Sequence, residues 1–599
     1  MLPTPLAVII LGLHAVDFVC LVLYLAVITG LGLWAARKVH SVRDFFMPRR
    51  FGKAMMVMHS FGTGTHSDQA VSVARVSYTN GLSGIWYQWL WLFSTPFYWL
   101  IAPFMKRFRA ITIGDIFEAR YNRGVAVLYA LIGIAQLTLN IGIMLLGAGK
   151  VIDASTGGLV NANVGILAMT VLFVVYGIAG GLSAAIVTDF LQGLMTILFS
   201  FLLLPFVLSA VGGLSGVRAG IEDPARATAL FSLFARADIG VFYVVVISFN
   251  ALVGIVVQPH TLGICAAGKT EMEGRVGFMM GTFVKRICTV AWCLTGVAAI
   301  AYLAGREVEP DQVYGLIARD FLPRILPGLL GIFLAALLAS VMSSCDSFMT
   351  ATSGLFTQNI YKLAVPGKAD RHYLLVGRIA SFGVVTGGVI FALTVPGVKQ
   401  GLEIFWKMAA MIGIAFWLGL FWRRTTSAGA WAATLASLGT WAVTTHGAVL
   451  RFLGSLPLND TLGIVRVSRV PVVPLAESGV WQFAWLGGTT YAMYLPWQMI
   501  LYLAAGAAFG IIVSLLTRPV AEEKLERFYA LTRTPIAPGE SPDEPCVLPQ
   551  GAETLPRRTL LPLKGIEIPR PSPVSMIGFV AAWVFVGLLI AGFVLIVQL

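Results

Sequence analysis

Apolar stretches of roughly 20 residues recur from one end of this 599-residue chain to the other. Each is long enough to cross the roughly 30 Å of hydrocarbon in a lipid bilayer as an α-helix. Only 12% of the residues are charged, against roughly 25% in a typical soluble domain. The sequence therefore predicts an all-α polytopic membrane protein. We expect fourteen spans, at 15–36, 52–77, 82–105, 125–149, 160–180, 186–212, 238–265, 277–304, 324–360, 374–396, 400–422, 425–446, 493–516 and 575–598.

The formal net charge of +13 could indicate a nucleic-acid partner. The surplus lysine and arginine, however, stand mostly in short loops between the spans, which is typical of the cytoplasmic side of membrane proteins. We therefore expect a lipid bilayer and no nucleic acid as partner, a plasma (inner) membrane location, and both termini outside. The basic residues assigned to cytoplasmic loops are Arg37, Lys38, Arg43, Arg49, Arg50, Lys53, Lys106, Arg107, Arg109, Arg120, Arg123, Lys269, Arg275, Lys285, Arg286, Lys362, Lys368, Arg371, Arg378, Arg423 and Arg424.

The spans divide the chain into five parts, and neither of its two long hydrophilic segments resembles a catalytic domain. The proline-rich segment before the last span could be regulatory, but its composition favours a solvated linker. The six cysteines show no CxxC spacing, so we expect no zinc site and no disulfide framework. The parts are 1–45 (one extra span and a loop), 46–422 (a ten-helix core), 423–516 (two spans around an external loop at 447–492), 517–573 (the proline-rich cytoplasmic segment) and 574–599 (the last span).

Two of the predicted spans carry polar, glycine-bearing interruptions. The second reads FGTGTHSDQ over 61–69, and the seventh reads GIVVQPH over 254–260. A break in a spanning helix is tolerated where it lines a cavity, because its freed backbone groups need partners. Transporters place such breaks at matching positions of two inverted repeats. Since the two spans lie five helices apart, the pattern favours a transport site over close helix packing through glycine.

The ninth span contains Ser340, Ser343 and Ser344, which lie at i, i+3 and i+4 and therefore on one helix face. Their hydroxyls could simply bond the carbonyls of the preceding turn. Alternatively, a serine pair that faces the broken second span would join its free carbonyls in a small cage of oxygen atoms. Such a cage suits a hard cation such as Na⁺, and the spacing leaves both interpretations open.

Several blocks of the chain, in this order, resemble the sodium/solute symporter family, whose members include sodium-coupled transporters of sugars, proline, pantothenate, iodide and carboxylates. The resemblance covers about residues 15–450. The blocks are 41–46 (SVRDFF), 112–121 (TIGDIFEARY), 176–182 (YGIAGGL) with Thr188, Asp189 and Gln192, then 258–260 (QPH), and 343–347 (SSCDS) with 360–362 (IYK).

The resemblance implies the leucine-transporter (LeuT) fold, with two inverted five-helix repeats in about spans two to eleven. It also implies Na⁺ as the coupling ion, bound between the broken second span and the ninth. Asp189 matches a family aspartate proposed to help sodium leave, although a carboxylate that snorkels from the helix end is the alternative. The implied sodium ligands are the carbonyls of Gly62, Thr65 and Ser340 and the hydroxyls of Ser343 and Ser344.

The solute site is where the chain departs from the sugar and proline transporters that it resembles. Gly64 stands where sugar transporters carry asparagine, and the expected aromatic gate before Gln258 is aliphatic, at Ile255. Asp68 could pair with a solute amine or hydroxyl, and His66 could bind a carboxylate or take a proton. Equally, both could close a structural hydrogen-bond network. The candidate solute-binding residues are His66, Asp68, Gln69, Gln258 and His260.

Together these features predict a sodium-coupled secondary active symporter that imports a small polar organic solute by alternating access, and not an enzyme. A proton-coupled or sodium-independent carrier, with His66 or Asp68 as the titrating group, is the alternative on the same fold. A membrane-embedded enzyme would need acids or histidines grouped at one membrane face. The polar residues here cluster at mid-depth instead, which disfavours that class. The sequence indicates no particular solute or oligomeric state.

Overall fold

The computed structural model describes residues 9–10, 13–39, 41–234, 239–394, 398–469, 489–537, 540 and 544–598. Within them the chain is almost wholly helical, which confirms the all-α prediction. The helices are α1 (Ala15–Ala36), α2 (Val42–Phe46), α3 (Lys53–Gly64), α4 (Ser67–Asn80), α5 (Trp86–Trp89), α6 (Thr95–Arg107), α7 (Ile113–Arg120), α8 (Arg123–Thr156), α9 (Ala162–Leu202), α10 (Leu204–Ala210), α11 (Gly213–Ala219), α12 (Pro224–Leu230), α13 (Val241–Ile255), α14 (Thr261–Ala266), α15 (Glu271–Tyr302), α16 (Val313–Ile325), α17 (Leu329–Phe356), α18 (Lys362–Ala364), α19 (Asp370–Thr394), α20 (Val398–Phe421), α21 (Ser427–Thr445), α22 (Gly447–Gly454), α23 (Pro457–Leu462), α24 (Leu495–Leu516), α25 (Glu522–Arg533) and α26 (Pro573–Gln598). The strands form two antiparallel pairs, β1 (Ile9–Ile10) with β2 (Leu13–His14) and β3 (Val465–Arg469) with β4 (Thr489–Met493).

In the part of the chain that the structure describes, nine helical stretches are long and apolar enough to cross a bilayer. Two of the other predicted spans are split by breaks, 52–77 between α3 and α4 and 238–265 between α13 and α14. The total of fourteen spans therefore stays a prediction. The nine stretches are Ala15–Ala36, Arg123–Thr156, Gly180–Ala210, Glu271–Tyr302, Leu329–Ala364, Asp370–Thr394, Gly401–Phe421, Leu495–Leu516 and Pro573–Gln598.

Helix α9 is kinked at Gly181, where φ is 53° and ψ is −152°. This left-handed backbone favours glycine, and a Cβ at this position would lie 2.6 Å from the carbonyl oxygen of Phe45. The sequence predicts one span that ends at 180 and another that begins at 186. The kink separates these two halves and places Asp189 on the second of them.

Helices α3 and α4 lie at the centre of the bundle, where both pack against α15 and α17, α4 also against α8, and α3 also against α9. Helix α17 is buried along most of its length, including its serine-rich middle. Helices α1, α19 and α26 instead expose aliphatic and aromatic side chains, as expected for helices that face lipid. The polar residues of the central helices are therefore shielded from the hydrocarbon.

The predicted external loop at 447–492 begins with α22 and α23 and continues into the β3–β4 hairpin. The backbone N–H of Tyr494 donates to the carbonyl of Ile464 at 2.8 Å, which closes the base of this hairpin. Residues 470–488 of the predicted loop lie outside the described residues, as do 1–8 of the predicted N-terminal part.

Residues 517–573, between α24 and α26, are called the connector below. The interpretation of this segment as a solvated linker is wrong for α25, which buries one face against the core, whereas residues 553–564 are largely exposed. The ring of Phe528 stacks on Phe108 at a centroid distance of 5.4 Å. The hydroxyl of Tyr529 donates to the carbonyl of Gly419 at 2.9 Å. The connector therefore docks on the ends of the core helices.

Two arginines of the core bind carboxylates of the connector. Arg423 contacts Glu522, and lies 2.6 Å from Glu526. The fully buried Arg109 forms a salt bridge with Glu540, with 2.5 Å between Nε and Oε1. Charged contacts of this kind fix orientation, and they matter most where one partner is buried.

The substitution Arg423→Gln should loosen α25, because it leaves the Glu522 carboxylate without its cation and leaves Glu526 paired only with Arg533 of the same helix. We expect amide hydrogen exchange of α25 to become about tenfold faster, which mass spectrometry of its peptides would measure. The Arg423 guanidinium holds the pKa of the Glu526 carboxyl below its usual range. Its contribution is therefore present at neutral pH and is lost as the pH falls through that lowered pKa.

Arg527→Gln provides the matched control on the same helix. The Arg527 side chain is 75% exposed and contacts only the exposed Glu523 one turn away, so its loss should leave the exchange rate unchanged. Equal exchange in the two variants would show that Arg423 does not hold the connector.

Candidate functional site

The second predicted span is broken where the sequence places its glycines. Helix α3 ends at Gly64, Thr65 and His66 adopt extended backbone conformations, and α4 begins at Ser67. The N–H of Thr65 turns back to the carbonyl of Gly62 at 3.3 Å. The break therefore releases carbonyl groups of this segment from regular helical hydrogen bonding inside the bundle.

The seventh predicted span is interrupted in the same way, between Ile255 and Thr261. The hydroxyl of Thr261 donates to the carbonyl of Ile255 at 3.0 Å. The hydroxyl of Tyr129, from α8, donates to the carbonyl of Val257 at 2.6 Å. Side chains thus satisfy some of the freed carbonyls, and both interruptions that the sequence predicts are present.

The serines of α17 face the first break. The Ser344 hydroxyl donates to the carbonyl of Gly62 at 3.0 Å and lies 3.3 Å from the carbonyl of Ser340. The Ser343 hydroxyl donates to a carboxylate oxygen of Asp189 on α9. All of these residues are buried. The serines therefore point into the bundle and away from lipid, and three helices converge at this point.

Glycine is required at position 62 by the close approach of α3 to α17. A Cβ there would lie 2.5 Å from the Ser343 hydroxyl oxygen and 3.6 Å from the side chain of Asp189. By contrast, a Cβ on Gly64 would meet no atom within 4 Å. The first glycine therefore sets the spacing of the oxygen cluster, while the second borders open space.

His59 joins this cluster, although the sequence analysis does not single it out. Its Nδ1 lies 2.6 Å from Asp189 Oδ2 and 3.2 Å from the Thr63 hydroxyl, which in turn lies 2.9 Å from that of Ser347. The sequence signal for it is a histidine one helical turn before the break in an apolar span. His59 and Ser343 hold Asp189 from two sides.

The chemistry of the cluster suits a hard monovalent cation. The carbonyls of Gly62 and Ser340, the two serine hydroxyls and a carboxylate supply oxygen atoms, and the buried Thr65 hydroxyl has no hydrogen-bond partner in the part of the chain that the structure describes. Among the described residues, no group of three or more His, Cys, Asp or Glu could hold a metal ion. The residues thus fit a cation that prefers mainly neutral oxygen ligands rather than a transition metal.

A cavity with an accessible volume of about 70 Å³ lies beside the breaks. Four of the five predicted solute-binding residues line it, which places them around one space. The residues that line it are Ser60, Gly64, His66, Gln69, Gln88, Trp91, Tyr98, Asn140, Ile255, Gln258, His260, Ile264, Phe278, Gly281, Thr282, Lys285, Arg286, Phe348, Leu402, Phe405 and Trp406.

Asp68 is the fifth predicted residue, and it does not line this cavity. Its side chain is fully buried behind His66, and one of its oxygens contacts His66 Nδ1. At the opposite edge of the imidazole ring, Gln69 Nε2 lies 2.9 Å from His66 Nε2. The same Gln69 nitrogen donates to the Gly64 carbonyl at 3.2 Å. The contact between Asp68 and His66 agrees with the network alternative from the sequence, while the role of Asp68 in solute binding stays a prediction.

Lys285 and Arg286 are assigned to a cytoplasmic loop by the sequence analysis, and that assignment is wrong. Both lie in the middle of α15, both are buried, and both line the cavity. Lys285 Nζ donates to the carbonyl of Gly64 at 2.5 Å, and Arg286 donates to the carbonyl of Gln88 at 2.6 Å. The error arises because two adjacent cations in a span give the same sequence pattern as a short basic loop.

Aromatic side chains also reach the cavity from unexpected places. Ile255 is present where an aromatic gate is expected, but Trp91, Phe348, Phe405 and Trp406 line the space instead. They come from the segment after α5 and from α17 and α20. The apolar walls of the cavity are therefore supplied by helices far apart in sequence.

Two discontinuous helices that meet a hydroxyl-bearing third helix beside a cavity are the arrangement typical of secondary transporters built on inverted repeats. The family model for the sodium:solute symporter family matches residues 45–437. The chain belongs to this family.

Relatives and solved structures agree with this assignment. The chain is 26% identical to a sodium/glucose cotransporter of Vibrio parahaemolyticus, over 71% of this chain and 84% of the relative. It is 25% identical to a sodium/pantothenate symporter of Escherichia coli, over 74% and 93%. A substrate-bound, outward-open Na⁺-coupled sialic acid symporter superposes with a TM-score of 0.65 at 17% identity, covering 85% of this chain and 99% of that one. These findings confirm the predicted LeuT fold and Na⁺ as the coupling ion.

Proposed function

We propose that the protein imports a small polar organic solute together with Na⁺ across the plasma (inner) membrane by alternating access, with both termini outside. The observation that carries this proposal is the contact of Ser344 with the Gly62 carbonyl at the break of the central helix. A cation at this point would link α3 to α17 through oxygen atoms of both. Transport of this kind requires no covalent chemistry, which supports a carrier rather than an enzyme.

In the proposed cycle Na⁺ binds first, between the Gly62, Thr65 and Ser340 carbonyls and the Ser343 and Ser344 hydroxyls. Ser343 and the carboxylate of Asp189 are in contact, so Asp189 can accept the ion as it leaves the cage. His59 bonds the other oxygen of that carboxylate and keeps it turned toward the serines.

The solute binds next, beside His66, Gln69, Gln258 and His260. Coupling between the two sites follows from their shared backbone, since residues 62–66 carry both the proposed sodium ligands and the cavity wall formed by Gly64 and His66. An ion that orders this break preforms the solute site. By linkage, solute binding strengthens sodium binding by the same factor.

Thermal unfolding of the purified full chain tests sodium binding without knowledge of the solute. We expect Tm to rise with NaCl and to saturate, while equal concentrations of KCl or choline chloride leave it unchanged, because only a ligand of the folded state stabilises it. Equal responses to all three salts would reject the sodium site. A Tm that does not change with NaCl but changes with pH would instead favour the proton-coupled carrier.

A further inference from the structure

The cavity contains two cations that the sodium mechanism does not use. Lys285 and Arg286 are adjacent on α15, and their side chains are 9% and 2% exposed. A buried cation is costly unless an opposite charge or several hydrogen bonds compensate it. Two buried cations that line one cavity therefore require groups that compensate their charge.

The protein itself compensates them incompletely. Within the described part of the chain, neither residue forms a salt bridge with a carboxylate. Lys285 donates to the Gly64 carbonyl, and Arg286 donates to the Gln88 carbonyl while its Nε has no partner. The carboxylate of Asp68 contacts His66 and does not line the cavity. The residues that line the cavity include no aspartate or glutamate.

Among the described residues, other polar atoms that face the same space also lack hydrogen-bond partners. These are both amide atoms of Gln88, the side-chain oxygens of Gln69 and Asn140, and Nδ1 of His260. Buried polar atoms normally have a partner, so their number here indicates a ligand that brings its own hydrogen-bonding groups. The oxygens of Gln69 and Asn140 accept hydrogen bonds and would suit hydroxyl groups on that ligand.

We propose that the transported solute is a small organic carboxylate with a single negative charge, and that Lys285 and Arg286 bind its carboxylate group. The inference rests on the proposed function and names the class of solute. The carbon skeleton of the anion would lie against Trp91, Phe405 and Trp406. A zwitterion is disfavoured, because the cavity offers no carboxylate for its ammonium group.

Thermal unfolding in saturating NaCl tests the solute class with pairs of matched probes. The probes are acetate, L-lactate, pyruvate, benzoate, nicotinate and D-gluconate, each beside its neutral amide, with glucose and L-proline as a neutral and a zwitterionic challenger. At least one carboxylate should raise Tm at a concentration at least about tenfold lower than its amide, as expected for a charge-assisted contact. The proposal is overturned if no carboxylate does so, or if glucose or L-proline stabilises the protein better than every carboxylate.

The variant Lys285→Gln then tests the assigned residue, using the carboxylate with the largest response. Its half-saturating concentration should rise about 100-fold, because a buried charge pair loses one partner. Lys407→Gln is the matched control, since Lys407 lies in α20 and does not line the cavity; it should leave the value unchanged. An unchanged value in Lys285→Gln would overturn the assignment. Lys285→Met removes the same charge and replaces the glutamine variant if that one does not fold.

The sodium response separates this inference from the proposed function. If Tm rises with NaCl and no carboxylate adds to it, the anionic class is wrong and sodium coupling stands. If Tm does not respond to NaCl, the proposed function itself fails.

Discussion

Replacing Ser343 and Ser344 together with alanine is expected to raise the sodium concentration for half-maximal stabilisation at least about 100-fold. The double variant removes two oxygen ligands, and a hydrogen-bonding or ligating contact to a charged group contributes roughly 1.5 kcal/mol or more. It also removes the Ser343 contact to Asp189, while both alanines still fit a fully buried helix face. The measurement is a titration of Tm with NaCl at constant ionic strength, adjusted with choline chloride.

Ser340→Ala is the matched control for this prediction. The Ser340 hydroxyl bonds the carbonyl of Leu337 within its own helix at 2.8 Å, so the variant keeps the backbone carbonyl that we assign to sodium. Its sodium titration should match that of the unmodified protein within about twofold, since only an intrahelical bond is lost. An unaltered titration in the double variant would remove Ser343 and Ser344 from the sodium site.

Gly62→Ala is expected to weaken the sodium response strongly while the chain still folds. The new methyl group would lie 2.5 Å from the Ser343 hydroxyl oxygen, closer than two such atoms can approach. Either this hydroxyl rotates away or α3 moves off α17, and both changes break the oxygen cage. Because the effect is a loss of ligand geometry, we expect half-maximal stabilisation to need at least about 50-fold more sodium, as for one to two lost ligands.

Gly64→Ala, two residues further along the same helix, is the control for this substitution. A Cβ at this position would meet nothing within 4 Å, so the sodium titration should not change. Both variants add one methyl group to the same broken helix, and they therefore share any general effect on helix propensity. A normal sodium response in Gly62→Ala would contradict the close approach of the two helices that the site requires.

Much of the architecture could be predicted from sequence because its signals are local. Span length follows from hydropathy, and the breaks follow from glycine and polar residues within single spans. The face shared by Ser340, Ser343 and Ser344 follows from helical spacing alone. The partner of that face could be predicted only through the family resemblance. The roles of these residues in sodium binding remain predictions that the variants above would test.

The residues that the sequence misplaces depend on contacts between distant segments. Lys285 and Arg286 look like a loop, because nothing nearby in sequence shows that the Gly64 and Gln88 carbonyls receive them. His59 can be recognised as part of the site only from its contact with Asp189, which lies on a different helix. The composition of the connector likewise predicts a polar linker, whereas in the structure α25 packs against α7 and contacts α20. In each case the local sequence is compatible with two different environments, and the environment depends on tertiary packing.

The docked connector links two helices that have different packing partners. It joins α24, which packs on α21, to α26, which packs on α6. Between these helices it is held to the core by ion pairs at Arg109 and Arg423. A movement of α6 relative to α21 during alternating access would therefore have to be accommodated within the connector, at these ion pairs or in the segments beside them.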